Sequence, residues 1–281
     1  MHPSRYAVNC SIMFTELPLT ERAQAARAAG FGAVEFWWPF RDAVPGDGEV
    51  DRFVTSVQDA GVQLAGLNFF AGDMAGGDRG AVSWPRRSRE FRDNVDVVVD
   101  IGRRLGCRSF NALYGNRVDG ATAPEQDELA VENLAAAARA VAAIDGTVLL
   151  EAVSGTPAYP LKLAGDAIGV LDRVQRETGA TNLAFLLDLY HLTVNGDDVG
   201  AVLDTQAERI GHVQIADAPG RGEPGTGGID IPAFLGRLED AGYAGWVALE
   251  YKPTTRTAES FGWLPAQTAA GTASTSERKP S

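Results

Sequence analysis

Cysteine is almost missing from this 281-residue chain. Only Cys10 and Cys107 occur, far apart and outside any Cys-x-x-Cys, so neither a disulfide scaffold nor a thiolate metal site is implied and the cytosol is the expected compartment. Histidine is also scarce: three residues cannot furnish the His-rich ligand shells of multi-zinc nucleases. Positive charge is in deficit, with 25 Lys and Arg against 37 Asp and Glu for a net charge of −12, and the cations form no stripe. Nucleic acid would meet repulsion rather than counterion release. No apolar run approaches the length of a membrane span, and the opening MHPSRYAVNCSIMF lacks the apolar core of a secretory signal, so no membrane partner is expected. No strand candidate runs into Gly-x-Gly-x-x-Gly, which leaves no sign of a dinucleotide or other organic cofactor.

What is present is a core-forming composition, 45% hydrophobic and 22% charged, typical of a globular protein. Short apolar runs alternate with longer helical patterns. The strand candidates are Tyr6–Ile12, Ala33–Phe36, Gln63–Leu67, Ser109–Leu113, Thr147–Glu151, Leu183–Asp188, His212–Ile215 and Trp246–Glu250. Between them, LTERAQAARAAG offers Thr20 as a cap and Gly30 as a stop, and EFRDNVDVVVDIGRRLG has helical apolar spacing ending at Gly106. Eight strand-helix units predict an α/β fold, a single (β/α)8 TIM barrel over residues 1–264. Residues 265–281, PAQTAAGTASTSERKPS, are small, polar and aperiodic, and are expected to be a disordered tail.

Four polar residues close four consecutive strand candidates: Glu151 in TVLLE, Asp188 in LAFLLD, Gln214 in HVQ and Glu250 in WVALE. Their spacing, roughly 25 to 40 residues, is that of a strand, a returning helix and a loop. Any one alone is more often a helix cap or a paired charge. Together they converge, because the carboxyl ends of parallel strands meet at one face of the barrel. Two Glu, one Asp and one Gln form a hard oxygen set suited to Mg²⁺ or Mn²⁺. Glu151 and Glu250 would be the acid/base pair of enediolate chemistry, while Asp188 and Gln214 mainly hold the ion.

Secondary candidates surround this set. His191 could polarise a substrate oxygen as a neutral imidazole, whereas His212, two before Gln214, reads as a hydrogen-bonded residue of the barrel interior. In the loop ADAPGRGEPGTGG, a phosphate cradle is a weaker reading than a turn or lid, and Arg221 could grip a substrate carboxylate. Lys252 could face the pocket, and Asn68, Asp73 and Arg79 could border it. The apolar cluster Glu35-Phe36-Trp37-Trp38-Pro39-Phe40, at the catalytic end of the second strand, is a pocket wall, a contact in a homo-oligomer, or core.

These residues resemble the hydroxypyruvate isomerase family within the sugar isomerase and epimerase barrels. The resemblance runs to about Leu264 through SIMFTELPLTER, AAGFGAVEF, AGDMAGGDRG, DLYHLTVNGD, IGHVQIADAPGRGEPGTGGID and GYAGWVALEYKP. It implies metal ligands at Glu151, Asp188, Gln214 and Glu250, with both Glu also moving protons. It implies a small hydroxy-keto acid substrate, hydroxypyruvate or a close relative, and the alternatives are a ketose 3-epimerase or a 2-oxo-tetronate isomerase using the same metal site. A Gln at 214 resembles this family more than the ketose 3-epimerases, which usually present His there. The chain departs from the family at Asn68-Phe69-Phe70, where Asn-Leu-Pro is common, and at Ala152-Val153-Ser154, where Pro, an aliphatic residue and Asn are usual. A nuclease on a similar barrel and a catalytically silent binding module are the competing classes.

Overall fold

A computed structural model describes residues 5–264; the tail expected over 265–281 lies outside the described residues. The elements run β1 (Tyr6–Asn9), α1 (Leu19–Ala28), β2 (Ala33–Phe36), α2 (Asp47–Ala60), β3 (Gln63–Asn68), α3 (Ser88–Leu105), β4 (Ser109–Asn111), α4 (Ala123–Ala142), β5 (Thr147–Glu151), α5 (Ala164–Thr178), β6 (Leu183–Asp188), α6 (Leu189–Asn195), α7 (Val199–Gln206), β7 (Ile210–Ile215), α8 (Ile231–Asp240) and β8 (Val247–Leu249). The strands close into one parallel barrel in chain order, with β8 pairing back to β1 through Ala7 opposite Ala248. The predicted TIM barrel is therefore observed. No helix among the described residues is long and apolar enough to cross a membrane.

Period-two alternation sorts each strand between two environments. Val8, Val34, Leu64, Phe110, Val148, Leu150, Phe185, Leu187, Val213 and Leu249 join the main core with apolar helix residues such as Val57, Val98, Leu134 and Leu171. Ala7, Ala33, Ala65 and Ala248 instead form a separate small cluster, with Trp246 against it. Two residues further along the same faces come Asn9, Glu35 and Glu250. Small alanines thus fill the inside of the barrel at one end, and polar groups take over at the other.

Several boundaries differ from the sequence expectation. β1 stops at Asn9 rather than Ile12, because the Asn9 carbonyl accepts from the Ile12 and Met13 amides and its side-chain oxygen accepts from the Ser11 amide, turning the chain. β4 ends at Asn111 and β8 at Leu249, so Glu250 stands just past its strand. Thr20 is the second residue of α1 and caps nothing; Pro18 precedes the helix. Gly106 does end α3, in the left-handed conformation. Within α3, Gly102 lets the helix settle on β4, since a Cβ there would lie 2.6 Å from Phe110 Cζ.

After β8 no α-helix follows among the described residues. The strap from Thr257 to Trp263 closes that side with aromatic rings. Phe261 lies 4.7 Å from Phe31 and 6.1 Å from Phe14, and Trp263 meets Tyr6 edge-on at 5.7 Å. Thr257 Oγ1 also accepts the Phe14 amide at 2.8 Å, fastening the strap to the β1–α1 loop.

Candidate active site

At the carboxyl ends of the strands a cavity of about 540 Å³ opens, lined among others by Ser11, Trp37, Asn68, Arg79, Glu151, Ser154, His191, Arg221, Glu250 and Lys252. Asp188 and Gln214 do not line it; they are buried to 2% and 3% exposure. Of the residues singled out from sequence, Asn68, Arg79, Glu151, His191, Arg221, Glu250 and Lys252 therefore share one chamber.

Glu151 leaves the end of β5 and accepts Asn111 Nδ2 at 2.7 Å from the neighbouring β4. Burial, with Asp188 adding like charge, pushes its carboxyl up to about 8. Asp188 does two jobs. One oxygen caps α6 by accepting the His191 amide at 3.0 Å, and the other stands 3.6 Å from His191 Nε2. Glu151, Asp188 and His191 bring ligand atoms within 4.8 Å of one another. Burial also drives His191 down to about 4, so the ring is neutral at pH 7. Its Nδ1 accepts the Ser154 amide at 3.0 Å, with the Ser154 hydroxyl at 2.7 Å. The ring proton must then sit on Nε2, which makes His191 a hydrogen-bond donor on the Asp188 side.

Glu250 is held by two partners remote in sequence: Trp37 Nε1 donates to its Oε1 at 3.1 Å and Arg221 Nη2 at 2.6 Å. Burial pushes its carboxyl well above the usual range, with Arg221 opposing that rise. The same Arg221 nitrogen reaches Asp188 Oδ2 at 3.4 Å, and the guanidinium lies 5.2 Å from the Tyr190 ring centre. The guanidinium expected to face a substrate carboxylate is thus engaged by the carboxylates of the site itself.

The loop carrying Arg221 wraps around another acid. Asp217 accepts the amides of Ala218, Gly225, Gly227 and Ile229, which holds its carboxyl below the usual range despite burial. Those amides are turned inward, so the loop is a turn rather than a phosphate cradle. Gly227 is required there, because a Cβ would come 2.3 Å from the Ala218 carbonyl oxygen.

Beneath the chamber, Glu35 anchors an internal network. Its Oε1 accepts Asn9 Nδ2 and Gln214 Nε2, both at 2.8 Å, and its Oε2 pairs with His212 Nε2 at 2.6 Å. The expected interior place of His212 is what the structure has. The consequence falls on Gln214: with its amide nitrogen bound to Glu35, its carbonyl oxygen turns away and has no partner among the described residues.

Gln214 Oε1 is one of four such buried side-chain oxygens among the described residues, with Glu250 Oε2, Asn111 Oδ1 and, in the loop after β4, Asn116 Oδ1. Unpartnered acceptors beside two further carboxylates are unfavourable unless a cation joins them. Glu151, Asp188 and His191 form a buried group that could hold a metal ion, and Gln214 Oε1 and Glu250 Oε2 are the unpartnered oxygens of the other two residues expected as ligands.

Sequence reasoning missed the network role of Glu35, Asn111 and the Trp37 contact. A charged residue inside the apolar strand AVEF and an Asn ending β4 were the available signals. Of the departures from the family pattern, Phe69, Phe70 and Ala152 are buried, and Phe69 packs on Phe91 at 5.4 Å. Ser154 is the departure that touches a site residue directly. The aromatic run divides: Phe36 is core against Phe53, while Trp37 walls the cavity. Asp73 does not line the cavity.

The model of the xylose isomerase-like TIM barrel family matches residues 23–267. A relative from Streptomyces coelicolor, carrying the provisional name hydroxypyruvate isomerase, is 55% identical over 93% of this chain and 96% of its own. The hydroxypyruvate isomerase of Escherichia coli is 32% identical, covering 92% and 98%, and the 2-oxo-tetronate isomerase of Cupriavidus necator is also 32% identical, covering 92% and 97%. A crystal structure described as an AP endonuclease, family 2, from Brucella melitensis superposes with a TM-score of 0.83 at 34% identity, covering 92% and 97%. The barrel, its acidic chamber and these relatives lead to one conclusion: the chain belongs to the hydroxypyruvate isomerase family of xylose isomerase-like TIM barrels and is an isomerase.

Proposed function

We propose that the protein is a metal-assisted isomerase that interconverts hydroxypyruvate and 2-hydroxy-3-oxopropanoate, with Glu151 and Glu250 as the proton-transferring pair. The observation that carries this reading is the group of unpartnered oxygens, Gln214 Oε1 and Glu250 Oε2, beside Glu151 and Asp188 at the base of the chamber. A hard divalent ion, Mg²⁺ or Mn²⁺, supplies electrostatic stabilisation of the substrate oxyanion when bound there. One Glu takes the proton from C3 of hydroxypyruvate, C2 and C3 become doubly bonded in an enediolate, and the other Glu delivers a proton to C2. The hydroxyl proton at O3 passes to O2, leaving an aldehyde at C3, so no oxidant or organic cofactor is consumed. Raised carboxyl affinities suit this exchange, because a carboxyl that keeps its proton near neutral pH can give as well as take it. Neutral His191 donates from Nε2 to a substrate oxygen, Asn68 borders the pocket, and Trp37 and Val153 shield the enediolate from water.

The 2-oxo-tetronate isomerase named above is as similar as the hydroxypyruvate isomerase of E. coli, which favours a four-carbon 2-oxo acid as the second reading. A nuclease is less well supported: the buried acidic group contains one His, and the net charge is −12. The test is metal-stripped protein assayed with hydroxypyruvate, 2-oxo-tetronate and neutral ketoses before and after Mn²⁺ or Mg²⁺. Isomerisation of the hydroxy-keto acid should return with the ion and fall by about 10²-fold or more in Glu151→Gln and Glu250→Gln. Undiminished turnover in either variant would overturn the assignment.

A further inference from the structure

A hydroxy-keto acid brings its own negative charge to a chamber whose base is already acidic. Its carboxylate must be received by a cation away from Glu151 and Glu250. Three cationic side chains line the cavity: Arg79, Arg221 and Lys252. Arg221 is committed to Glu250 and Asp188, and its Nε donates to the Glu250 carbonyl oxygen at 3.2 Å. Lys252 is an exposed residue at the rim, where a flexible ammonium remains hydrated.

Arg79 differs from both. Its Nη1 donates to the Met74 carbonyl oxygen at 2.9 Å and to the Asp78 carbonyl oxygen at 2.6 Å, which fixes the guanidinium against its own loop. It has no carboxylate partner among the described residues, so the Nε and Nη2 edge, the fork that matches a carboxylate with two parallel bonds, has not been used. The loop is itself held in place. The Gly80 amide donates to the Ala71 carbonyl oxygen at 2.9 Å, and the Asp78 carboxylate accepts the Asp73 amide and pairs with Arg87 at 3.1 Å. Gly80, directly after Arg79, passes so close to Leu113 that a Cβ would lie 2.0 Å from its carbonyl oxygen.

We infer that Arg79 is the specificity-determining residue that grips the substrate carboxylate, a role that rests on the hydroxy-keto acid reading above. Placing the carboxylate on Arg79 orients the C2 and C3 oxygens towards His191 and the acidic base. A neutral ketose of the same length offers this fork no carboxylate for a charge-assisted bidentate pair, so Arg79 separates acids from sugars.

The experiment uses full-length protein with Mn²⁺, comparing the parent with Arg79→Met. Steady-state kinetics with hydroxypyruvate are set beside those with dihydroxyacetone, its neutral isostere, and binding of D-glycerate, an unreactive acid, is measured by calorimetry. Arg79→Met should raise KM for hydroxypyruvate and the Kd for D-glycerate by about 30-fold or more, with dihydroxyacetone changed by less than about threefold. D-Glycerate binding that is unchanged in Arg79→Met overturns the inference. If the parent does not isomerise hydroxypyruvate while D-glycerate binding still collapses in the variant, the assigned reaction fails and the carboxylate site stands. Should Arg79→Met not fold, Arg79→Gln, which can still donate to the Met74 carbonyl, gives the same reading.

Discussion

Replacing Glu35 with Leu removes the acceptor on which three buried donors converge. Asn9 Nδ2 and Gln214 Nε2 lose Oε1, and His212 Nε2 loses Oε2, in an interior where Asn9, His212 and Gln214 are at most 3% exposed. Each abandoned donor costs about 1–3 kcal/mol. Removing a buried carboxylate also removes its own desolvation cost, so a net loss of about 3 kcal/mol is expected. In a chain of this size that lowers the melting midpoint by about 6–12 °C. Glu35→Gln should lose roughly half as much, because one carbonyl oxygen can keep both bonds made to Oε1 while His212 moves its ring proton to Nδ1. A second effect separates this network from ordinary packing. Gln214 loses the partner that turns its carbonyl away from Glu35, so Mn²⁺ affinity should fall by about 10- to 100-fold. Calorimetric melting of the metal-free protein and Mn²⁺ titration of both variants test the argument. A Leu variant that melts within about 2 °C of the parent and binds Mn²⁺ equally well would refute it.

Three further outcomes follow from the geometry. Glu151 has a higher proton affinity folded than unfolded, so metal-free protein should lose stability as pH rises from the ordinary value of 4.5 to about 8. Mn²⁺ affinity should strengthen over the same window as the ligand deprotonates, and thermal melts across it with and without Mn²⁺ would show no such divergence if Glu151 were not a ligand. Gly80→Ala, at φ +111° and with its new Cβ against the Leu113 carbonyl, should cost more than about 2 kcal/mol in urea unfolding. Ser154→Ala keeps the backbone bond to His191 Nδ1 but loses the hydroxyl beside it; kcat should fall about 3- to 10-fold with KM nearly unchanged, and an unaltered kcat would remove Ser154 from the site.

The barrel was legible because alternation of short apolar runs with glycine-stopped helices is a local property. Glu151 and Asp188 were legible as strand-end acids for a related reason: a carboxylate closing an apolar strand of a parallel barrel stands at its carboxyl-end face whatever the rest of the chain does. The network around them was not. Trp37 meets Glu250 across 213 residues, and Glu35 meets His212 across 177, separations that no local period encodes. Phe69 and Phe70 looked like changes at the pocket rim, yet the turn after β3 buries both rings. Arg221 was assigned by its place in a glycine-rich loop, and only the folded geometry has its guanidinium facing Glu250.

The hydrogen bond between the Phe14 amide and Thr257 joins residues 243 positions apart. The loop it fastens supplies Ser11, Ile12 and Thr15 to the chamber wall. On the ribosome, the first catalytic loop to emerge must therefore wait, unfastened, until nearly all of the described chain has followed it out. A nascent chain halted just after Glu250 would carry every acid of the site and still lack Thr257, the residue that fastens this loop. Completion of the chamber wall is thereby tied to a residue near the end of the described chain.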